Sequence, residues 1–429
     1  MAQTAGGYSL RCVACGATYE DDGVRLDCSQ EHAPALLRSV FAPAFAVEDT
    51  DSMLRYRNWL PCGRRIATSA RSGVYRSERL GERLGLSKLW IAFSGWWPER
   101  GARLATATFK ELEAYAVLAR LAEGERRTLV VASAGNTAAA FARAATELEL
   151  PALIIIPLGA WERLARLVAI GPSVHVVAVD GGQYEDAIAL SRSLAADPRF
   201  VLEGGVRNVA RRDGMGTAML EAFESIGTLP DVYVQGVGSG AGALAVHEAA
   251  LRLIATGSRF AAKLPRLFLA QNAPFTPIHD AWSAKSPALI PRTPELAREQ
   301  IAKLGAPVLS NVSPPYAAAG GVRDALRESN GETYAVGNDE MERARAMFAE
   351  LEGIEIEPAA GVALGALVQA LRRGDLARDA TVLLHVTGGG ATRREAVRME
   401  QRPALVVRRG DGTFDQPAAN ARRFASAVR

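Results

Sequence analysis

The stretch 128–150, "TLVVASAGNTAAAFARAATELEL", sets an apolar run, a turn of small residues and a helical period one after another. The run 128–132 is short, rich in β-branched residues and unbroken by charge, as a strand covered on both faces requires, and the segment after Asn136 carries its apolar residues at helical spacing. The alternation recurs: "PALIIIP" (151–157) precedes "WERLARLVAIG", "VHVVAV" (174–179) precedes "QYEDAIALSRSLAAD", "DVYVQGVG" (231–238) precedes "GALAVHEAALRLI", and "TVLLHVTGGG" (381–390) closes the series. Strands alternating with helices predict an α/β fold with parallel-rich sheets flanked by helices.

At 429 residues the chain is long enough for two hydrophobic cores, since single cores stop growing near about 250–300 residues. A net charge of +3, with 47 acids interspersed among the bases, gives no broad cationic field, so neither nucleic acid nor a membrane surface is the expected partner. The N-terminal text has no basic segment followed by an apolar one, which predicts a cytoplasmic protein. Four cysteines are too few for a disulfide scaffold. Cys12 and Cys15 form a CxxC; with Cys28 and His32 they make a ligand set for a tetrahedral structural zinc. The same text also reads as an arm whose metal site is degenerate, because the second ligand pair lacks a cysteine. Pro/Gly-rich text at 311–324, "NVSPPYAAAGGVRD", predicts loops near a site or a domain joint.

Lysine is scarce here. Of 50 basic residues only five are Lys, at positions 88, 110, 263, 285 and 303, so where charge alone is wanted this chain uses Arg. Lys110, in "TATFKELEAYAVLARL" (106–121), falls in the opening turn of a predicted amphipathic helix, with Thr106 or Thr108 as its cap. A cation at the positive end of a helix dipole is held below its usual pKa, and a lysine that is neutral part of the time is a nucleophile, a role closed to Arg. A solvated surface lysine is the plain alternative. Two further turns bear on the choice. Ser133, Ala134, Gly135, Asn136 and Thr137 join a strand to a helix, and so does the glycine-rich Gly236–Gly242; both present backbone N–H groups to an anion. Gly238–Ala243 also matches a GxGxxA dinucleotide fingerprint, but no acid occurs between Glu248 and Asp280 to hold a ribose. Thr387 ends the last apolar strand ahead of three glycines.

At these residues the sequence resembles the pyridoxal phosphate enzymes of the tryptophan synthase β-subunit fold (fold type II), within them the threonine synthase branch. "TATFKE" resembles that family's lysine segment, "SAGNT" its asparagine loop, "GVGSGAG" its phosphate loop, "IEPAAGVALGAL" its Glu-Pro-Ala helix start and "VTGGG" its strand end, all in the family's order. The resemblance implies a two-domain architecture: a small N-terminal cysteine module (1–50), a large cofactor-binding domain (51–104 and 228–429) and a small domain (105–227) carrying the lysine helix. It implies pyridoxal 5'-phosphate joined to Lys110 as a Schiff base, with Lys110 also moving the Cα proton. Asn136 would face the cofactor's phenolic oxygen, and Gly236, Val237, Gly238, Ser239, Gly240 and Ala241 its phosphate. Thr387 would face the pyridine nitrogen with a neutral hydroxyl, which favours loss of a β-substituent. Amides of Ser133–Thr137 would hold a substrate carboxylate. The implied reaction is β-replacement on an activated serine, O-phospho-L-serine, by an anionic nucleophile, sulfite. Arg100, Arg211 and Arg212 are candidates for the substrate's oxyanions, with Arg103 beside them. Other nucleophiles, a threonine synthase reaction, and a binding protein without catalysis remain open. Lys110-Glu111-Leu112 departs from that branch's usual Lys-Asp-Arg, which weighs against homoserine phosphate as substrate. His247 and His385 read as packing residues. A homodimer is the family expectation.

Overall fold

Burial on both faces turns the apolar runs into two parallel-rich sheets. The computed structural model describes residues 7–42, 44–133, 135–394 and 401–409. In one sheet six strands lie in the order Glu332–Val336, Arg266–Asn272, Val232–Gly236, Val382–Val386, Leu89–Phe93 and Gly73–Arg76. All neighbours run parallel except the last pair, where Gly73–Arg76 is antiparallel to Leu89–Phe93. The other sheet has five parallel strands, Phe200–Leu202, Thr128–Ala132, Ala152–Pro157, Val174–Asp180 and Leu405–Arg408. Strands such as Leu153–Ile156 are buried to within 1% exposure, as helices on both sides demand.

Leu405–Arg408, which the sequence reading groups with 228–429, pairs instead with Val177–Asp180. Its Val407 is fully buried against Val177 and Val179, so apolar pairing draws this late segment to the other sheet. A third, small antiparallel sheet of Tyr8–Cys12, Thr18–Tyr19 and Leu37–Phe41 makes the N-terminal module.

The helix Lys110–Arg120 departs from the amphipathic expectation: every residue from Glu111 to Arg120 is buried. It packs between the helices Asn136–Glu147 and Val209–Ile226, so no face is left for solvent. Its ends are then fixed by specific bonds rather than by caps. At the C-terminal end the Arg120 guanidinium forks onto Asp21 at 2.9 and 2.7 Å and donates to Asn208 Oδ1, joining the N-terminal module to this helix. At the start neither Thr106 nor Thr108 caps; Phe109 occupies that position with no side-chain bond.

Candidate active site

Lys110 stands at the junction of both blocks. The Phe109 N–H donates to Thr387 O at 3.0 Å, Gly389 N–H donates to Ala107 O, and Thr108 bridges Gly388. The lysine helix therefore begins against the end of the strand Val382–Val386. The glycine loop meets it from the other side: a Cβ on Gly242 would lie 2.9 Å from the Phe109 ring, so only glycine lets the loop approach this closely. Gly240 has φ +78° and a Cβ there would meet Val322 at 2.5 Å. Within the loop, the amides of Gly238, Ser239 and Gly240 donate to no other group among the described residues, and the helix Ala241–Ala255 starts immediately after. The Val237 amide does not belong with them. It donates to Ala270 O at 2.8 Å, finishing the sheet edge, so Val237 is withdrawn from the phosphate-facing set.

All five lysines are described, and Lys110 is the one that is not exposed. Its Nζ lies 3.1 Å from Glu113 Oε2. Burial lowers the Lys110 pKa, the Glu113 carboxylate opposes the shift, and the Arg211 charge adds to it. The direction matches the sequence reading, although the cause is burial and a neighbouring guanidinium rather than the helix dipole. Below Phe109 lies a neutral hydrogen-bonded row. His385 joins Ser94 Oγ at 2.8 Å and Tyr233 OH at 2.6 Å, and burial drives its pKa down to about 3. His247 pairs with Glu328. Both histidines are packing residues.

The Asn136 turn is built by Ser133, whose Oγ accepts from the amides of Gly135 and Ala138. Ala134 lies outside the described residues. Asn136 Oδ1 accepts from Arg163 Nη2 at 2.7 Å, which leaves its NH₂ as the free donor. Thr137 Oγ1 donates to Glu113 Oε1 at 2.8 Å. Arg163, Glu113 and Glu203 were missed by the sequence reading, and nothing but their fold neighbours distinguishes them from surface charges; Glu357 is the acid of the Glu-Pro-Ala helix start. The turn Pro307–Leu309 covers both loops, with Leu309 O 3.0 Å from the Cβ position of Gly238 and Val308 3.8 Å from that of Gly135.

Four arginines stand elsewhere than expected. Arg212 is fully buried and donates to Glu248, Val206 O and Leu37 O, so it ties helices to the N-terminal module and has no access to an oxyanion. Arg211 forks onto Glu203 at 2.7 and 2.6 Å and reaches Glu113 at 3.1 Å; two carboxylates already neutralise it. Arg100 is exposed and stacks on Tyr75 and Trp97, while Arg103 pairs with Asp51.

In the N-terminal module Cys12, Cys15, Cys28 and His32 bring their ligand atoms within 4.8 Å of one another. The Cys15–Cys28 sulfurs are 3.6 Å apart and Cys12 Sγ is 3.3 Å from His32 Nε2. Zinc bonds of about 2.3 Å to sulfur and about 2.0 Å to nitrogen give tetrahedral edges close to these. The His32 Nδ1 bond to Ala33 O at 2.7 Å leaves Nε2 to the metal. The donor set fits zinc.

The free amides of Gly238–Gly240 and the buried, unpartnered Thr108 hydroxyl two residues before the lysine fit a phosphorylated, polar cofactor. Residues 75–388 match the family model "Pyridoxal-phosphate dependent enzyme", and the chain belongs to that family. More particularly, it is 44% identical to the cysteate synthase of Methanosphaerula palustris, over 91% of each chain. It is 40% identical to that of Methanosarcina mazei, over 96% of this chain and 99% of that one. The chemistry is thus pyridoxal phosphate-dependent β-replacement on a small amino acid. Among solved structures, tomato (Solanum lycopersicum) threonine deaminase isoform 2 shares the fold at TM-score 0.56 and 16% identity, covering 74% of this chain and 79% of its own. Maize serine racemase does so at TM-score 0.55 and 17% identity, covering 75% and 89%. No helix among the described residues is long and apolar enough to cross a membrane.

Proposed function

We propose that this chain makes L-cysteate and phosphate from O-phospho-L-serine and sulfite, with Lys110 as the covalent and proton-transferring lysine. The observation that carries the reading is the one lysine that is not exposed, half-buried against both Thr387 and the glycine loop. The bound cofactor supplies the electron sink that makes the substrate Cα–H acidic. Lys110 Nζ takes that proton. The Cβ–O bond breaks with its electron pair leaving on phosphate, the sulfite sulfur lone pair forms Cβ–S, and Lys110 returns the proton to Cα.

The remaining roles are those that the family resemblance implies, assigned to groups left free in this structure. Gly238, Ser239 and Gly240 would offer amides to the cofactor phosphate, the Asn136 NH₂ would serve its ring oxygen, Thr387 its ring nitrogen, and the Thr137 amide the substrate carboxylate; the Ser133 amide donates instead to Ile155 O and that of Gly135 to Ser133 Oγ. Arg163, partly exposed beside Asn136 and 3.5 Å from Glu357, takes the oxyanion role first given to Arg211 and Arg212. Val308 and Leu309 cover the loops and keep water from Cβ. Protein supplied with O-phosphoserine and a panel of nucleophiles, its products weighed by mass spectrometry, tests this. Cysteate from sulfite is expected; turnover of homoserine phosphate in place of phosphoserine would overturn the substrate assignment.

A further inference from the structure

We propose that Glu113 is the counter-ion and positioning residue of the Lys110 amine, fixing it beside the Asn136 turn and raising its proton affinity when the amine is not covalently engaged. The inference rests on the reading of Lys110 as the covalent lysine. Glu113 lies one helical turn after Lys110, so the two side chains leave the same face. Its side chain has no exposed surface, and a carboxylate so placed needs partners. It divides them between its oxygens. Oε1 takes the Thr137 hydroxyl at 2.8 Å and the Arg211 guanidinium at 3.1 Å, while Oε2 faces Lys110 Nζ at 3.1 Å.

Arg211 alone would suffice to bury one carboxylate, yet it is already forked onto Glu203. With Arg211 and Glu203 cancelling, Glu113 sets the charge that the lysine amine meets. Among the described residues Tyr184 also faces this island, and its phenol stays neutral because burial raises its pKa. Through Thr137 the same carboxylate also fixes the start of the helix that carries Asn136, so lysine and asparagine are held to one anchor.

The test is the pH dependence of the rate at which pyridoxal phosphate attaches to the apoprotein, since only the neutral amine is a nucleophile. In Glu113→Gln, which keeps the acceptor and the size, the midpoint is expected to move to lower pH by about one unit or more, a roughly tenfold faster attachment on the acid side. Glu113→Asp should restore part of the shift. Arg211→Gln should move the midpoint the opposite way, and it decides the matter if the Gln variant fails to fold. An unchanged midpoint with the adduct still on Lys110 overturns the role of Glu113. An adduct on another lysine overturns instead the reading on which it rests.

Discussion

At the scale of single residues, the site depends on which polar groups are already taken. Arg163 holds the Asn136 carbonyl and thereby turns the amide donor outward. Arg163→Ala is expected to raise the KM for O-phosphoserine by about tenfold or more, the worth of one charged hydrogen bond, with a smaller change in kcat; steady-state kinetics checks it. An equal fall in kcat with KM unchanged would place the guanidinium outside substrate binding. Lys110 and the glycines could be singled out in the sequence because lysine is rare there and glycine is conformationally marked, and Asn136 and Thr387 through the family resemblance. Glu113, Glu203 and Arg163 were not, because a charged residue in a helix or loop reads as solvated until the fold shows what buries it. Arg211 and Arg212 misled for the same reason: both flank a motif, yet each is consumed by carboxylates, Glu203 and Glu248.

At the scale of elements, the lysine helix is held at both ends by other parts of the chain. Its start hangs on Thr387, and its end on the N-terminal module through Arg120 and Asp21. Burial by itself would raise the Asp21 pKa, but the Arg120 guanidinium outweighs it and keeps the carboxylate below its ordinary value. Asp21→Asn leaves Arg120 fully buried and half paired, so chemical denaturation should show a loss of about 3–5 kcal/mol. A loss below about 1 kcal/mol would mean that the module is not anchored there. The same module should copurify with one zinc per chain by metal analysis, and chelation should lower the melting temperature. The apolar runs made the strands legible from sequence. The helix 110–120 was taken as amphipathic because Glu and Arg interrupt its apolar period, and its complete burial depends on pairing those charges with residues up to 99 positions away.

At the scale of the whole molecule, the centre of the six-stranded sheet contains a neutral imidazole. His385 bonds Ser94 and Tyr233, and its folded pKa of about 3 lies far below an ordinary histidine. Below pH about 6.5 the unfolded chain takes up a proton that the folded chain refuses until pH about 3. This site therefore removes about 1.4 kcal/mol of stability per pH unit as the pH falls through that window. His385→Asn should be less stable near neutrality but should lack this part of the acid slope, measured by urea denaturation at several pH values. A slope equal to that of the unmodified protein would show that the imidazole does not stay neutral. The two sheets meet where the lysine stands, and the account is tested most directly there. Borohydride reduction of the protein loaded with pyridoxal phosphate, followed by proteolysis and peptide mass mapping, should place the cofactor on Lys110. An adduct on Lys88, Lys263, Lys285 or Lys303, or none at all, would contradict it.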